Sequence, residues 1–442
     1  MKDIMKLTLG NFHVRDLRFG PQTRYEDGVL TVNRQEAVDF ILEDERITEC
    51  DLVIAKPGDR KRIVPVKAAV EARCKVEGGL LYPGIVNDIV PAGSGVTHCL
   101  RGMSILSVGK HRGGFQDGLI DMSGPGAKYS RFSELINLCI VADTNEEEER
   151  CEQQKKNLAL RWAGIRLAEY LGETVRALQP EDTEVYELEP LTRRRNELPK
   201  VVYITQLDSQ MKILGYNTLV YGWDANRMLP TLLHPNEILD GAVTGGSFTP
   251  SSSVFSTYDM CNNPTIKRLY REHGKTLNFL GVIIDNNSAE YGEKKRTSMM
   301  SVNLAKNLGA EGAIVAEHAY GNPDADFITT LALLKDAGIQ AVGITSECTG
   351  RDGASQPKVT LDERADAIVS TGNVSELIEL PPMEEIVGEL ESMNRDGFAG
   401  AWGHDELLGP SVRPDGSVIM ENNSMYIGDL TTGASLKTVK EF

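Results

Sequence analysis

The chain has 442 residues, 41% hydrophobic and 25% charged, an ordinary make-up for a globular protein of two or three domains. Its formal net charge of −17 argues against a nucleic-acid partner, which requires a basic face, and against binding to anionic membranes. The seven cysteines (Cys50, Cys74, Cys99, Cys139, Cys151, Cys261, Cys348) are scattered and odd in number. That pattern fits a reducing cytoplasm, and with no Cys-x-x-Cys the electrons for any reduction must come from a partner.

The opening Met1-Lys-Asp-Ile-Met-Lys has no apolar h-region, and nowhere is there an apolar run long enough to span a bilayer. From Lys6 to about Ser130 the pattern is strand-like. Leu7, Leu9, Phe12 and Val14, then Val29, Leu30 and Val32, then Asp51-Leu-Val-Ile-Ala are short runs bounded by Gly, Asp and Asn. One helix interrupts them, with Ala37, Phe40, Ile41 and Ile47 on its apolar side. The segment 114–127 is glycine-rich but lacks the strand–Gly-x-Gly-x-x-Gly–helix setting of a dinucleotide cradle.

The run 146–150 is acidic and reads as exposed. It leads into a helix over about 152–173, where Leu160, Ala163, Leu167 and Leu171 recur at helical spacing with Lys and Arg opposite. Residues 176–199, with the Arg193-Arg-Arg triplet, read as a connection, and Val201-Val-Tyr-Ile as a buried strand.

After Pro264 strand and helix alternate. Leu277-Asn-Phe-Leu-Gly-Val-Ile-Ile, Ala313-Ile-Val-Ala, Gln340-Ala-Val-Gly-Ile and Ala367-Ile-Val read as strands, with helices near 291–308 and 324–337. Near-continuous apolar strands joined by amphipathic helices predict a parallel sheet with helices on both faces. The expected class is therefore α/β. The expected organisation is a β-rich amino-terminal domain over 1–150, a middle α/β segment over 151–250 and a carboxy-terminal parallel α/β domain over 251–442. In such sheets functional groups gather beyond the carboxyl ends of the strands. Here that means loops 285–290, 317–323, 346–356 and 370–373.

Several candidate sites follow. Gly274-Lys275-Thr276 mimics the tail of a phosphate-binding loop, but its leading glycine position is Leu269 and it precedes a strand, which excludes it. Glu317, His318 and Asn322 lie on a strand-end loop where polar residues converge on a ligand, and they are candidate substrate contacts. No His-x-x-x-His or His-Glu-x-x-His occurs, so no metal is expected.

The stretch Leu229-Pro-Thr-Leu-Leu-His-Pro-Asn-Glu-Ile-Leu-Asp-Gly-Ala-Val-Thr-Gly-Gly runs into a polar loop holding Ser251-Ser-Ser. A hydroxyl beside its own peptide bond can attack the preceding carbonyl, and Gly245 and Gly246 supply the backbone freedom such an attack needs. A plain Ser/Thr/Gly connector has the same composition. His234 upstream is either a proton carrier for such chemistry or a structural histidine beside Pro235. Asp240 and Asp259 flank the loop as candidate bases or turn residues.

This stretch resembles the self-processing region of the pro-protein subunit of component B in the glycine, sarcosine and betaine reductase family. The likeness extends over nearly the whole chain. It takes in Gly114-Phe-Gln-Asp-Gly, Ile120-Asp-Met-Ser-Gly-Pro-Gly-Ala, Leu198-Pro-Lys-Val-Val-Tyr, Asn262-Asn-Pro, His273-Gly-Lys, Leu277-Asn-Phe-Leu-Gly-Val, Val369-Ser-Thr-Gly-Asn and Asn422-Asn-Ser-Met-Tyr-Ile-Gly-Asp. The resemblance implies an oxidoreductase subunit, cut in the loop, whose new amino terminus becomes a pyruvoyl group. That ketone would condense with a small amine substrate, glycine or sarcosine, as an imine, and a selenol or thiol on a separate component B subunit would displace the nitrogen. The resulting group would pass to a selenoprotein carrier, component A. A hetero-oligomer in the cytoplasm is implied.

The family's pyruvoyl precursor is a cysteine. Counting back from Asn262-Asn-Pro puts that position at Ser252, with Ser251 and Ser253 beside it, while Cys261 lies too far downstream. A serine hydroxyl is harder to ionise than a thiol. The competing expectation is therefore an unprocessed, non-catalytic assembly subunit of the same complex.

Overall fold

The computed structural model describes residues 4–110, 117–145, 153–193, 197–210, 215–246, 251–394, 409–428 and 430–433. The acidic run 146–150, residues 114–116 of the first quoted block and the pair 194–195 lie outside the described residues. The architecture is α/β, as the patterning predicts.

The amino-terminal part is built on two sheets. One orders Asp182–Glu187, Lys6–His13, Gly95–Arg101 and Arg73–Glu77. The other orders Gly118–Asp121, Lys61–Val70, Met103–Gly109, Ile136–Thr144 and Ile47–Ala55, and Glu385–Gly388 also joins Lys61–Val70. Helix Gln153–Gly172 packs across both sheets, and Leu160, Ala163, Leu167 and Leu171 all enter one core with Val70, Ile105 and Ile140.

Three readings of the sequence need correction. Ile47 does not belong to the first helix, Arg34–Leu42; it opens a strand and is buried there. The 176–199 connection contains the strand Asp182–Glu187, antiparallel to Lys6–His13, whose edge position lets its charged residues face solvent. Arg161, placed on the polar side of the long helix, is only 3% exposed.

The second part is a sheet ordered Thr231–Leu233, Asn278–Asn286, Lys200–Leu207, Gly312–Ala316, Gln340–Glu347 and Ile368–Asn373. All pairings are parallel except that of the first, edge strand. Alternation sends Tyr203, Leu207, Val282 and Ile284 to one face, against Ile266 and Leu269 of helix Pro264–Glu272. Val202, Ile204 and Ile283 go to the other face, against helices Tyr291–Asn307 and Asp324–Asp336. The sheet thus draws strands from both sides of residue 250, and Lys200–Leu207 holds an interior position. The serine run, Ser251–Ser253, is a single 3-10 turn against the turns Asn422–Ser424 and Leu430–Thr432.

Candidate active site

Two glycines set the approach to the serine turn. A Cβ on Gly245 would fall 2.2 Å from the Phe255 carbonyl oxygen, and one on Gly246 would fall 2.7 Å from the Thr218 amide nitrogen. Neither glycine has a positive φ, so the residue is required by close backbone approach and not by strained freedom. Ser251, Ser252 and Ser253 are all buried. The Ser251 hydroxyl donates to the backbone carbonyl of Asp117, whose carboxylate is paired with the equally buried Lys67 ammonium. The hydroxyls of Ser252 and Ser253 meet no hydrogen-bond partner among the described residues.

The strand-end loops converge on the chain that follows the turn. His318, just beyond strand Gly312–Ala316, stacks on Phe255. Its Nδ1 accepts from the Asp208 amide at 2.8 Å, and its Nε2 lies 3.1 Å from the Phe255 amide. A neutral imidazole accepts at one nitrogen only, so at any moment at most one of these is a true hydrogen bond. Burial holds the ring neutral by pushing its pKa down to about 3. Both ring nitrogens face backbone amides, and neither faces a serine hydroxyl.

Glu317 accepts from the Thr345 hydroxyl and, at 2.6 Å, from Lys358. Lys358 also reaches Asp324 at 3.0 Å. Two carboxylates around one ammonium leave an excess negative charge in a buried place, and burial pushes Glu317 up to about 8. Asp208, at the end of the neighbouring strand, is likewise pushed up to about 8 by burial. Around these residues lie buried polar atoms without a partner among the described residues: Asp208 Oδ2, Ser209 Oγ, Asn287 Oδ1, Glu317 Oε1 and Ser346 Oγ. Buried polar atoms are normally paired. Such a concentration at the carboxyl ends of parallel strands makes this a candidate polar binding region.

The remaining candidates are placed elsewhere. His234 caps helix Pro235–Leu239, its side chain accepting from the Asn236 amide while Glu237 reciprocates, a capping box. It follows Leu233, which pairs with Val282, well short of the carboxyl end of that strand at Asn286. Asp240 is buried and saturated: it accepts from Lys75, from the Gly93 amide at 2.8 Å and from the Thr97 hydroxyl at 2.6 Å. Asp259 caps helix Thr257–Cys261 with Ser256 and pairs with Arg131 at 3.0 Å. Asn322 is exposed, and its carbonyl accepts from Lys294 at 3.0 Å. The structure therefore brings together Ser251, Ser252, Ser253, Glu317 and His318, and leaves His234, Asp240 and Asn322 apart.

The sequence reading missed Lys67, Asp117, Asp208, Lys358 and Tyr426. Asp117 and Tyr426 were within reach, since both stand in the quoted blocks. A Cβ on Gly118 would lie 2.7 Å from Tyr426 Cβ and 2.8 Å from Ser251 Cβ, so the first and last blocks close on the serine turn.

The profile of the glycine/sarcosine/betaine reductase component B subunits matches residues 5–440. The betaine reductase complex component B subunit alpha of Peptoclostridium acidaminophilum is 59% identical, over 99% of this chain and 100% of its own length. From the same organism, the glycine reductase complex component B subunits alpha and beta are 41% identical over 94% of this chain and 95% of theirs. The sarcosine reductase complex component B subunit alpha is 40% identical over 91% and 94%. No solved structure matches the chain. A sequence match almost end to end makes this chain a member of the glycine/sarcosine/betaine reductase component B subunit family, a subunit of an oxidoreductase complex.

Proposed function

We propose that the chain is the substrate-binding subunit of a betaine-type reductase and works as an intact polypeptide. The observation that carries this reading is Ser252, which stands where the family resemblance puts a precursor cysteine. Its buried hydroxyl faces no base among the described residues. The His318 imidazole, stacked on Phe255 three residues on, is neutral and turned to backbone amides. A self-made ketone needs its precursor ionised, and these surroundings do not favour that step.

Substrate chemistry points the same way. The relative at 59% identity is named for betaine. A quaternary nitrogen cannot condense with a ketone and has no need to. It already carries the charge that lets trimethylamine depart with the carbon–nitrogen electron pair when a selenolate or thiolate attacks the α-carbon. The glycine relative is named as two subunits in one chain, the betaine and sarcosine relatives as one. Burial pushes up the thiol pKa values of Cys50, Cys74, Cys99, Cys139 and Cys261, which makes them poor nucleophiles, while Cys348 is exposed. The family resemblance assigns the attacking group to a separate component B subunit. A hetero-oligomer that delivers its product to a component A carrier follows from that division of labour.

A second reading keeps the self-processing chemistry: cleavage before Ser252, with Ser251 or Ser253 as neighbours in the same role, leaving a pyruvoyl group. The tight, buried turn that holds the serines favours it. Intact mass of the purified protein separates the two. The intact reading expects one full-length chain, no hydrazide-reactive carbonyl, and the same mass behaviour in Ser252→Ala. Two fragments and a labelled ketone, both abolished by Ser252→Ala, would overturn it in favour of the second.

A further inference from the structure

Arg161 is a buried cation that meets no anion among the described residues. It sits inside helix Gln153–Gly172, and its guanidinium donates to two backbone carbonyls: Gly245, and Gly215 at 3.1 Å. Among the described residues no carboxylate oxygen bonds it. The acid whose charge acts on it is Asp224, which is already taken up by the Gly215 amide at 2.5 Å, the Asn217 amide group at 2.9 Å and the Asn226 amide at 2.8 Å. Burying an ionised group without a counter-charge is costly, and proteins ordinarily pair it. Here burial pulls the guanidinium pKa down to about 10, a measure of how little compensates the charge.

The surroundings are short of partners too. Tyr426 is fully buried; the charges of Asp259, Asp117 and Arg161 all act on its hydroxyl, which has no hydrogen-bond partner among the described residues. Asn157, one helical turn before Arg161 on the same face, has both amide atoms buried and without a partner among the described residues. The hydroxyls of Thr218 and Thr244 are in the same state. Thr244 precedes the glycine that Arg161 holds, and the Thr218 amide sits against Gly246. One guanidinium and a set of idle donors, all buried beside the approach to the serine turn, have the composition of a carboxylate receptor.

We propose that Arg161, with the Tyr426 hydroxyl, binds the substrate's carboxylate. The class of ligand is a small carboxylate, and the proposal rests on the reading that this chain binds a glycine-derived acid. Anchoring that end leaves the α-carbon and its nitrogen directed away from the guanidinium, toward the partner's nucleophile. Arg161 is a binding residue in this scheme and takes no part in bond making.

The test is calorimetric titration of the purified full-length chain with glycine, N-methylglycine, N,N,N-trimethylglycine, acetate and tetramethylammonium. Loss of one charge-assisted hydrogen-bonding group should weaken binding of the acid in Arg161→Met by on the order of 10²-fold. Tyr426→Phe, which removes only an idle hydroxyl, should weaken it by roughly 10-fold with the fold intact. Neither change should move tetramethylammonium by more than about 2-fold, because that cation has no carboxylate. Acid binding unchanged in both variants overturns the anchor. So does an equal loss of acetate and tetramethylammonium, which marks general damage to the site. Wild type that takes acetate through Arg161 but none of the three amino acids upholds the anchor and sinks the functional reading. Wild type that takes neither acetate nor the acids overturns the anchor.

Discussion

His318 lies face to face on Phe255, ring centroids 3.8 Å apart and planes 7° from parallel. The contact joins a strand-end loop of the parallel sheet to the segment two residues past the serine turn, and it is wholly buried. Backbone amides of Asp208 and Phe255 face the two ring nitrogens. The imidazole accepts from one of these amides at a time, and only while neutral, and its stacking ties the strand-end loop to Phe255.

That neutrality predicts an acid-labile joint. The folded-state pKa of about 3 lies below the ordinary histidine value, so the unfolded chain binds the extra proton first. Stability from this residue is therefore present above about pH 6.5 and declines toward pH 3, by at most about 1.4 kcal/mol per pH unit. Asp208 and Glu317, pushed up by burial, act with the opposite sign: their contribution is full at low pH and is lost as pH rises through about 8. Urea unfolding of wild type and His318→Asn at pH 7 and pH 5 isolates the histidine. The variant's penalty should shrink at pH 5, and a pH-independent difference would refute the assignment.

The Lys67–Asp117 pair predicts a different asymmetry. Both side chains are at most 1% exposed, and Asp117 also offers its carbonyl to Ser251. Lys67→Met leaves a buried carboxylate without its cation and should cost about 3–5 kcal/mol. The double variant Lys67→Met with Asp117→Leu should recover much of that loss, since no charge is left behind. Chemical denaturation of the two single variants and the double variant measures the coupling, and additive losses would show that the pair is not an energetic unit.

The sequence made the parallel sheet legible because its signal is local. The runs after Pro264 are near-continuously apolar, and helix-length segments separate them. Strand Asp182–Glu187 was not legible, because an edge strand needs neither an apolar run nor two neighbours, and its Asp-Thr-Glu-Val-Tyr-Glu composition reads as linker. At the site, the serine run and the 317–318 pair could be found from their position on loops. Arg161 could not: helical spacing alone assigns a cation to the solvent side, and only the two carbonyls it meets reveal why it is buried. His234 and Asp240 misled in the reverse sense. Both stand near the serines in sequence, yet a helix cap and a lysine clamp account for them.

Those two placements predict opposite outcomes for neighbouring substitutions. Asp240→Ala strands the Lys75 ammonium, 3% exposed, and removes the acceptor of the Thr97 hydroxyl and the Gly93 amide. The expected cost is about 3–5 kcal/mol of stability. His234→Ala removes one side of a capping box and should cost about 1 kcal/mol. Substrate affinity per folded molecule should be unchanged in His234→Ala. Thermal unfolding together with titration of the folded fraction checks both, and a large affinity loss with little unfolding in His234→Ala would restore it to the site.

Gly118 predicts how tightly the first and last blocks are locked to the serine turn. An added methyl would meet Tyr426 Cβ at 2.7 Å, Ser251 Cβ at 2.8 Å and Tyr426 Cα at 2.9 Å, and the last of these is backbone that cannot swing aside. Overpacking of this kind should make Gly118→Ala less stable by about 1–3 kcal/mol. Because the strain is shared between two neighbours, removing the Ser251 side chain relieves only its part. Ser251→Gly added to Gly118→Ala should therefore be less damaging than the sum of the single changes, with a coupling of about 0.5–3 kcal/mol. The methyl also displaces Tyr426, so affinity for a small carboxylate should fall in Gly118→Ala and stay low in the double variant. Full recovery of affinity in the double variant would mean that the hydroxyl of Tyr426 is not held in place through Gly118.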